Sequence, residues 1–196
     1  MAFITKLSPD GKSLIYSSYV GGSYAEEGKG LVLDTQGNAI IAGTTHSNDF
    51  TVKLAFQKSY SGSGDCYAAK ITPRGDLLWS TYVGGSGRDT CLGIAADQQG
   101  YVFIAGGSNS LDFPLKSAMQ TTMTPRTSYS TPILVKLSPD GSMFAATFLG
   151  GPVAGFATSV ALDSFGNVYV AGGVDPALTT KNAFQPRSGS SGSGFL

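Results

Sequence analysis

The chain repeats itself three times, and this repetition limits its fold more than any other feature. Lys6-Leu7-Ser8-Pro9-Asp10-Gly11 recurs as Lys70-Ile71-Thr72-Pro73-Arg74-Gly75 and as Lys136-Leu137-Ser138-Pro139-Asp140-Gly141. Tyr19-Val20-Gly21-Gly22-Ser23 recurs as Tyr82-Val83-Gly84-Gly85-Ser86 and as Phe148-Leu149-Gly150-Gly151-Pro152. Asp34, Asp97 and Asp163 each open a turn closed by Gly37, Gly100 or Gly166. Ala55-Phe56-Gln57 returns as Ala118-Met119-Gln120 and Ala183-Phe184-Gln185. The Gly-Gly pair moves from 21 to 84 to 150 and the aspartate from 34 to 97 to 163, steps of 63 and 66 for both. Self-similarity at a fixed period marks one supersecondary unit stacked on copies of itself.

Each copy reads as four short strands. In the second, Cys66–Thr72 is a strand, Asp76–Val83 its return, Leu92–Ala96 a short strand of small and aliphatic residues, and Tyr101–Ala105 the next. β-Branched and aromatic residues suit a pleated, half-buried surface. Pro9, Asp10 and Gly11, with Pro73 and Gly75 and with Pro139, Asp140 and Gly141, form tight turns, as do the three Asp-x-x-Gly hairpins. Proline presets the first corner and glycine takes the positive φ that closes it. No segment carries a capped helical period. Evenly spaced strands with turn glycines predict an all-β fold, a propeller of four-stranded antiparallel blades. The copies run roughly over 2–65, 66–131 and 132–193 of a single domain spanning 1–196, and 194–196 starts a further strand. The innermost strand of a blade lies where blades converge, so Gly30-Leu31-Val32-Leu33, Leu92-Gly93-Ile94-Ala95-Ala96 and Ser159-Val160-Ala161-Leu162 fit that place.

Phe3-Ile4-Thr5-Lys6-Leu7-Ser8-Pro9-Asp10-Gly11, Tyr19-Val20-Gly21-Gly22, Asp112-Phe113-Pro114 and Leu162-Asp163-Ser164-Phe165-Gly166-Asn167-Val168-Tyr169-Val170-Ala171-Gly172 together resemble the SBBP β-propeller repeat, a relative of the NHL repeat. The first copy departs at Asp49-Phe50-Thr51, and the third lacks Asp-Phe-Pro altogether, with Val174-Asp175-Pro176 nearby. The resemblance implies a bacterial protein, exported or held at the cell surface, and implies no defined reaction. By analogy with the related propellers, the long segments 44–65, 107–131 and 173–194 share a face with the Gly-Gly connections. Long loops on a rigid scaffold are where binding is concentrated. The candidate ligand-face residues are therefore His46, Asn48, Asp49, Tyr60, Asn109, Asp112 and Tyr129.

Charge and composition exclude some functions. Thirteen basic and thirteen acidic residues balance, and the basic ones are scattered. A nucleic-acid binder would carry a basic stripe to meet phosphates. No apolar run approaches the roughly 20 residues of a membrane helix, and Met1-Ala2-Phe3-Ile4-Thr5-Lys6 has no signal-peptide pattern. His46 is the lone histidine, and a solitary base lacks the nucleophile and orienting partner that catalysis needs. The recurring aspartates are explained by bonds to their own turns, so neither a metal nor another cofactor is expected. Cys66 and Cys91 read as two separate small, buried thiols; a disulfide stays open, although the spacing does not call for it.

Three copies are fewer than the four to eight blades of a closed ring. The chain opens inside a third strand at Ala2-Phe3-Ile4 and closes inside the equivalent strand at Gly194-Phe195-Leu196. It is then either part of a longer propeller or half of a two-fold dimer with six blades. The expected function is a non-catalytic scaffold or recognition module binding a protein or glycan. The alternatives are a lectin-like propeller and a propeller-based hydrolase or lyase.

Overall fold

The structure is a computed structural model that describes residues 1–123, 130–150, 154–174 and 180–185, and the backbone of 193–195. Tyr129, Asp175, Pro176 and most of the segment 173–194 lie outside the described residues. Every regular element described is a β-strand. β1 (Ala2–Leu7) and β2 (Leu14–Val20) make a two-stranded sheet. β3 (Glu26–Leu33), β4 (Ala39–Thr45), β5 (Asp65–Ile71) and β6 (Leu77–Val83) form a complete blade in chain order. β7 (Asp89–Ala96), β8 (Val102–Ser108), β9 (Thr131–Leu137) and β10 (Met143–Phe148) form the next. β11 (Gly155–Leu162) and β12 (Val168–Val174) pair with the three-residue β13 (Ser193–Phe195). All pairings are antiparallel. Two full blades thus stand between two partial ones, an open arc of a propeller.

Alternation of side chains builds one core per seam between blades. Ala39 and Ile41 of β4 face the first sheet, where Ala2, Ile4, Phe50, Tyr67 and Tyr82 join them. Ile40 and Ala42, one residue out of phase, face the third sheet with Ala68, Trp79 and Val83. There they meet Val102, Ile104, Ile133, Val135, Leu137 and Phe148. Both faces of β4 and β5 are buried throughout, as a sheet sandwiched between neighbours requires.

The innermost strands β3, β7 and β11 approach closely, as their small residues foretold. A Cβ on Gly30 would lie 2.6 Å from Ile94 Cγ2, and one on Gly93 would lie 2.9 Å from the Ser159 backbone. The register slips at the same place in each blade, at Gly28/Gly30, Cys91/Gly93 and Ala157/Ser159. A bulge there sharpens the twist of the strand nearest the axis.

The second seam is also covalent, which overturns the expectation of two separate thiols. Cys66 of β5 and Cys91 of β7 form a disulfide with Cα atoms 5.2 Å apart, 25 residues apart in sequence. Spacing along the chain does not encode this pairing. It depends on which strands of neighbouring blades face each other.

Candidate functional site at the blade seams and loop face

The hairpin between the first two strands of each blade is held by its aspartate. Asp34 Oδ1 accepts from the amides of Gln36 and Asn38, both at 2.9 Å, and Asp163 repeats this with Phe165 and Asn167. Asp97 does the same with Gln99 and Tyr101. Gly37, at φ +77°, occupies the left-handed region that closes the turn. Asp34 has a further partner, Lys70 Nζ at 2.8 Å, and this ion pair is almost fully buried. Burial alone would raise the Asp34 carboxyl, but the bonds from Lys70 and Asn38 outweigh it and hold the group below its ordinary value. In the next blade Lys136 instead stands over the rings of Tyr101, Phe103 and Phe144, at 4.2, 4.8 and 4.8 Å.

The turn between the third and fourth strands locks each blade to the one before it. Lys6 Nζ donates to Pro73 O at 3.1 Å, and Trp79 Nε1 donates to Pro139 O at 2.9 Å. Tyr16 lies over Gly75 and Trp79 over Gly141, where a Cβ would stand 3.0 and 2.7 Å from the ring. Pro73, Gly75, Pro139 and Gly141 are thus seam contacts as well as turn formers.

On the opposite face the Gly-Gly-Ser connections are held by the candidate loop residues. Asp49 Oδ1 accepts from the Ser23 amide at 2.8 Å, and Asp112 Oδ1 accepts from the Ser86 amide at 2.7 Å. The Ser23 hydroxyl and amide hold the exposed Asp49 carboxyl below its ordinary value, and the Ser86 amide and hydroxyl do the same for Asp112. Asn109 Oδ1 accepts from the Arg88 amide. Phe50 is buried against Tyr67 and Tyr82, with ring centroids 4.9 and 5.6 Å away, and the Tyr82 hydroxyl joins the Phe50 amide to Ser47 O. Tyr60 packs edge-on to Tyr82. His46 and Asn48 are exposed.

The long loops return to cover the outer edge of their own blade. Lys53 exchanges two backbone bonds with Ser80, and Gln57 O accepts from the Tyr82 amide at 3.2 Å. Lys116 does the same with Ala146, and Gln120 O accepts from Phe148 at 3.3 Å. To reach these positions the backbone turns left-handed just before each Ala-x-Gln, at Leu54, Ser117 and Asn182. Such cover protects a fourth strand from stray pairing.

A family model described as SBBP, beta-propeller repeat, matches residues 15–51 and 78–114. The chain carries SBBP β-propeller repeats. Each matched SBBP stretch runs from the outer strand of one blade through the first two strands of the next and ends at Asp-Phe-Thr or Asp-Phe-Pro. The unit that recurs is therefore a seam with its Gly-Gly connection and loop-face clasp. No curated protein matches the chain.

Sequence reasoning missed three features of the SBBP seam. They are the disulfide, the edge-covering role of the loops, and a set of buried carboxyls at the start of the inner strands. Glu26 and Asp89 occupy equivalent positions behind Gly21 and Gly84, and Asp65 joins Asp89 across the second seam. The signal for Glu26 and Asp89 was present in their place after each Gly-Gly-Ser. Their burial was not visible, because a charged residue near a turn ordinarily faces water. Among the described residues no group of three or more His, Cys, Asp or Glu converges as a metal site.

Proposed function

We propose that the chain is a non-catalytic propeller module from an exported or cell-surface protein, and that its recognition surface is the open half-blade. The occupant put to the test is the first two strands of a repeat from a second copy; a repeat preceding this one in a longer chain would fill the same place. The observation that carries this reading is the state of β1–β2. Among the described residues β1 pairs with β2 alone. Phe3 is 67% exposed and Tyr19 76%, while Leu31 and Leu33 of the neighbouring inner strand are 55% and 60% exposed. A cleft of about 430 Å³ beside β1 is lined by Met1, Ala2, Phe3, Glu26, Gly28 and Leu31, among others. An apolar face with an unpaired edge is the usual receptor for strand addition.

A second copy carries a fitting insert in β11 and β12, provided that β1 takes the place that the three-residue β13 holds against Gly172–Val174 in the single chain. At the complete seam Ile94 packs against Gly30, so Leu31, its equivalent, calls for a small residue opposite. Ser159 of β11 stands at the Gly30 position. Two arcs completed this way give a six-bladed ring, within the range of closed propellers. Export is supported by the buried Cys66–Cys91 bond, because structural disulfides persist in oxidising compartments. The non-catalytic reading is supported by the loop face, where Asp49, Asn109 and Asp112 are already bonded to turn amides.

Light scattering after size exclusion tests the reading, with Leu31→Lys as control. The expected result is a dimer that the variant converts to monomer. A wild-type monomer, or a dimer that Leu31→Lys leaves intact, overturns it.

A further inference from the structure

Asp65 opens β5 and Asp89 opens β7, on opposite sides of the second seam, and both are fully buried. Gly84 lies between them. A Cβ at that glycine would stand 2.7 Å from Asp65 Oδ1 and 2.8 Å from Asp89 Oδ2. One oxygen of each acid is engaged. Asp65 Oδ2 accepts from the Ser61 amide at 2.9 Å and Gln57 Nε2 at 3.1 Å. Asp89 Oδ2 accepts from the Gly85 amide at 2.7 Å and the Ser110 hydroxyl at 2.8 Å. The other oxygen, Oδ1 in both, is buried without a hydrogen-bond partner. The Ser108 hydroxyl is close enough to lower the Asp89 carboxyl as a hydrogen-bond donor would, but its geometry falls short of a hydrogen bond to Oδ1.

The charged surroundings do not compensate the pair. Asp112, from the loop after β8, adds a third negative charge that acts on both. The rings of Tyr60 and Tyr82 lie within reach of the Asp65 charge. His46 and Arg88 flank Gly64, the residue before Asp65, yet neither forms an ion pair with these acids. Two carboxylates held together away from water cannot both stay ionised cheaply. A calcium ion would ask for six to eight oxygens, and among the described residues no three acids, histidines or cysteines come together closely enough to hold a metal. A single proton asks for much less.

We propose that Asp65 and Asp89 hold one proton between them, and that this proton latches the seam between the two complete blades. Burial, followed by repulsion from Asp89, accordingly pushes the Asp65 carboxyl up to about 7 against the bonds from Ser61 and Gln57. Burial likewise raises Asp89. The latch belongs to this seam alone among the described ones. At the first seam Glu26 stands at the Asp89 position but Met1 at that of Asp65, and at the third the equivalents are Gly155 and Thr131.

The direction of the effect follows from linkage. Between the ordinary aspartate value of 3.8 and about 7, the folded chain keeps a proton that the unfolded chain releases. Stability therefore falls as pH rises through that window and levels off above it. Carboxyl-carbon NMR titration of the native protein, with thermal midpoints at pH 5 to 8 for wild type and Asp65→Asn, tests the proposal. The expected result is one carboxyl titrating near neutrality and a wild-type midpoint that drops several degrees. Asp65→Asn, which mimics the protonated acid, flattens the profile and is the more stable protein at pH 8. Both carboxyls titrating below about 5 would overturn the proposal even if the variant misfolds. So would parallel midpoint profiles, or a pH dependence that millimolar calcium abolishes.

Discussion

Replacing Cys66 and Cys91 together by alanine removes the covalent tie between the two complete blades while leaving small apolar side chains in the seam. The closed loop spans 25 residues. Chain-entropy arithmetic for a loop of that size gives about 3.5 kcal/mol at 25 °C. For a chain of this size each kcal/mol moves the unfolding midpoint by about 2–4 °C, so the double variant should melt about 7–14 °C below wild type. Differential scanning calorimetry measures the shift. Alkylation of the denatured, unreduced protein checks the premise, because it should add no mass to either cysteine. Equal melting midpoints, or two alkylated cysteines, would refute the reasoning.

Other perturbations test other parts of the seam. Lys70→Met strands the buried Asp34 carboxylate without its cation and should cost about 3 kcal/mol by chemical denaturation. Because Asp34 titrates below its ordinary value when folded, its contribution is present above the unfolded pKa and fades as pH falls through the folded one; wild type should lose more stability on acidification than Lys70→Met. Gly141→Val places a branched side chain at φ +86° and against the Trp79 ring, with an expected loss of about 2 kcal/mol or more, visible as quenched or shifted Trp79 fluorescence before unfolding. Asp112→Ala frees the Ser86 amide and should raise hydrogen exchange at Ser86 and Gly87 while changing global stability by about 1 kcal/mol.

Much of the fold was legible because the repeats fix register. The Asp-x-x-Gly hairpins, the Pro-x-Gly turns and the small residues of the inner strands each have a local cause, and each fell where the sequence placed it. Features that depend on two blades at once, or on backbone contacts alone, stayed hidden. Cys66 and Cys91 meet only because β5 of one blade faces β7 of the next. Lys53 and Gln57 dock on β6 through backbone groups, which leave no side-chain pattern to read. Asp49 and Asp112 drew attention as exposed polar loop residues, and they are exposed; their partners are backbone amides of Ser23 and Ser86, which sequence alone does not bring near. The Asp65–Asp89 pair needs both the repeat register and the absence of a side chain at Gly84 to be seen.

The open half-blade is the centre of the functional account, and solution mass tests it most directly. Multi-angle light scattering on the 196-residue chain should give twice the 20.2 kDa of one copy, falling to a single copy in Leu31→Lys. A homogeneous wild-type monomer across micromolar concentrations would contradict the account.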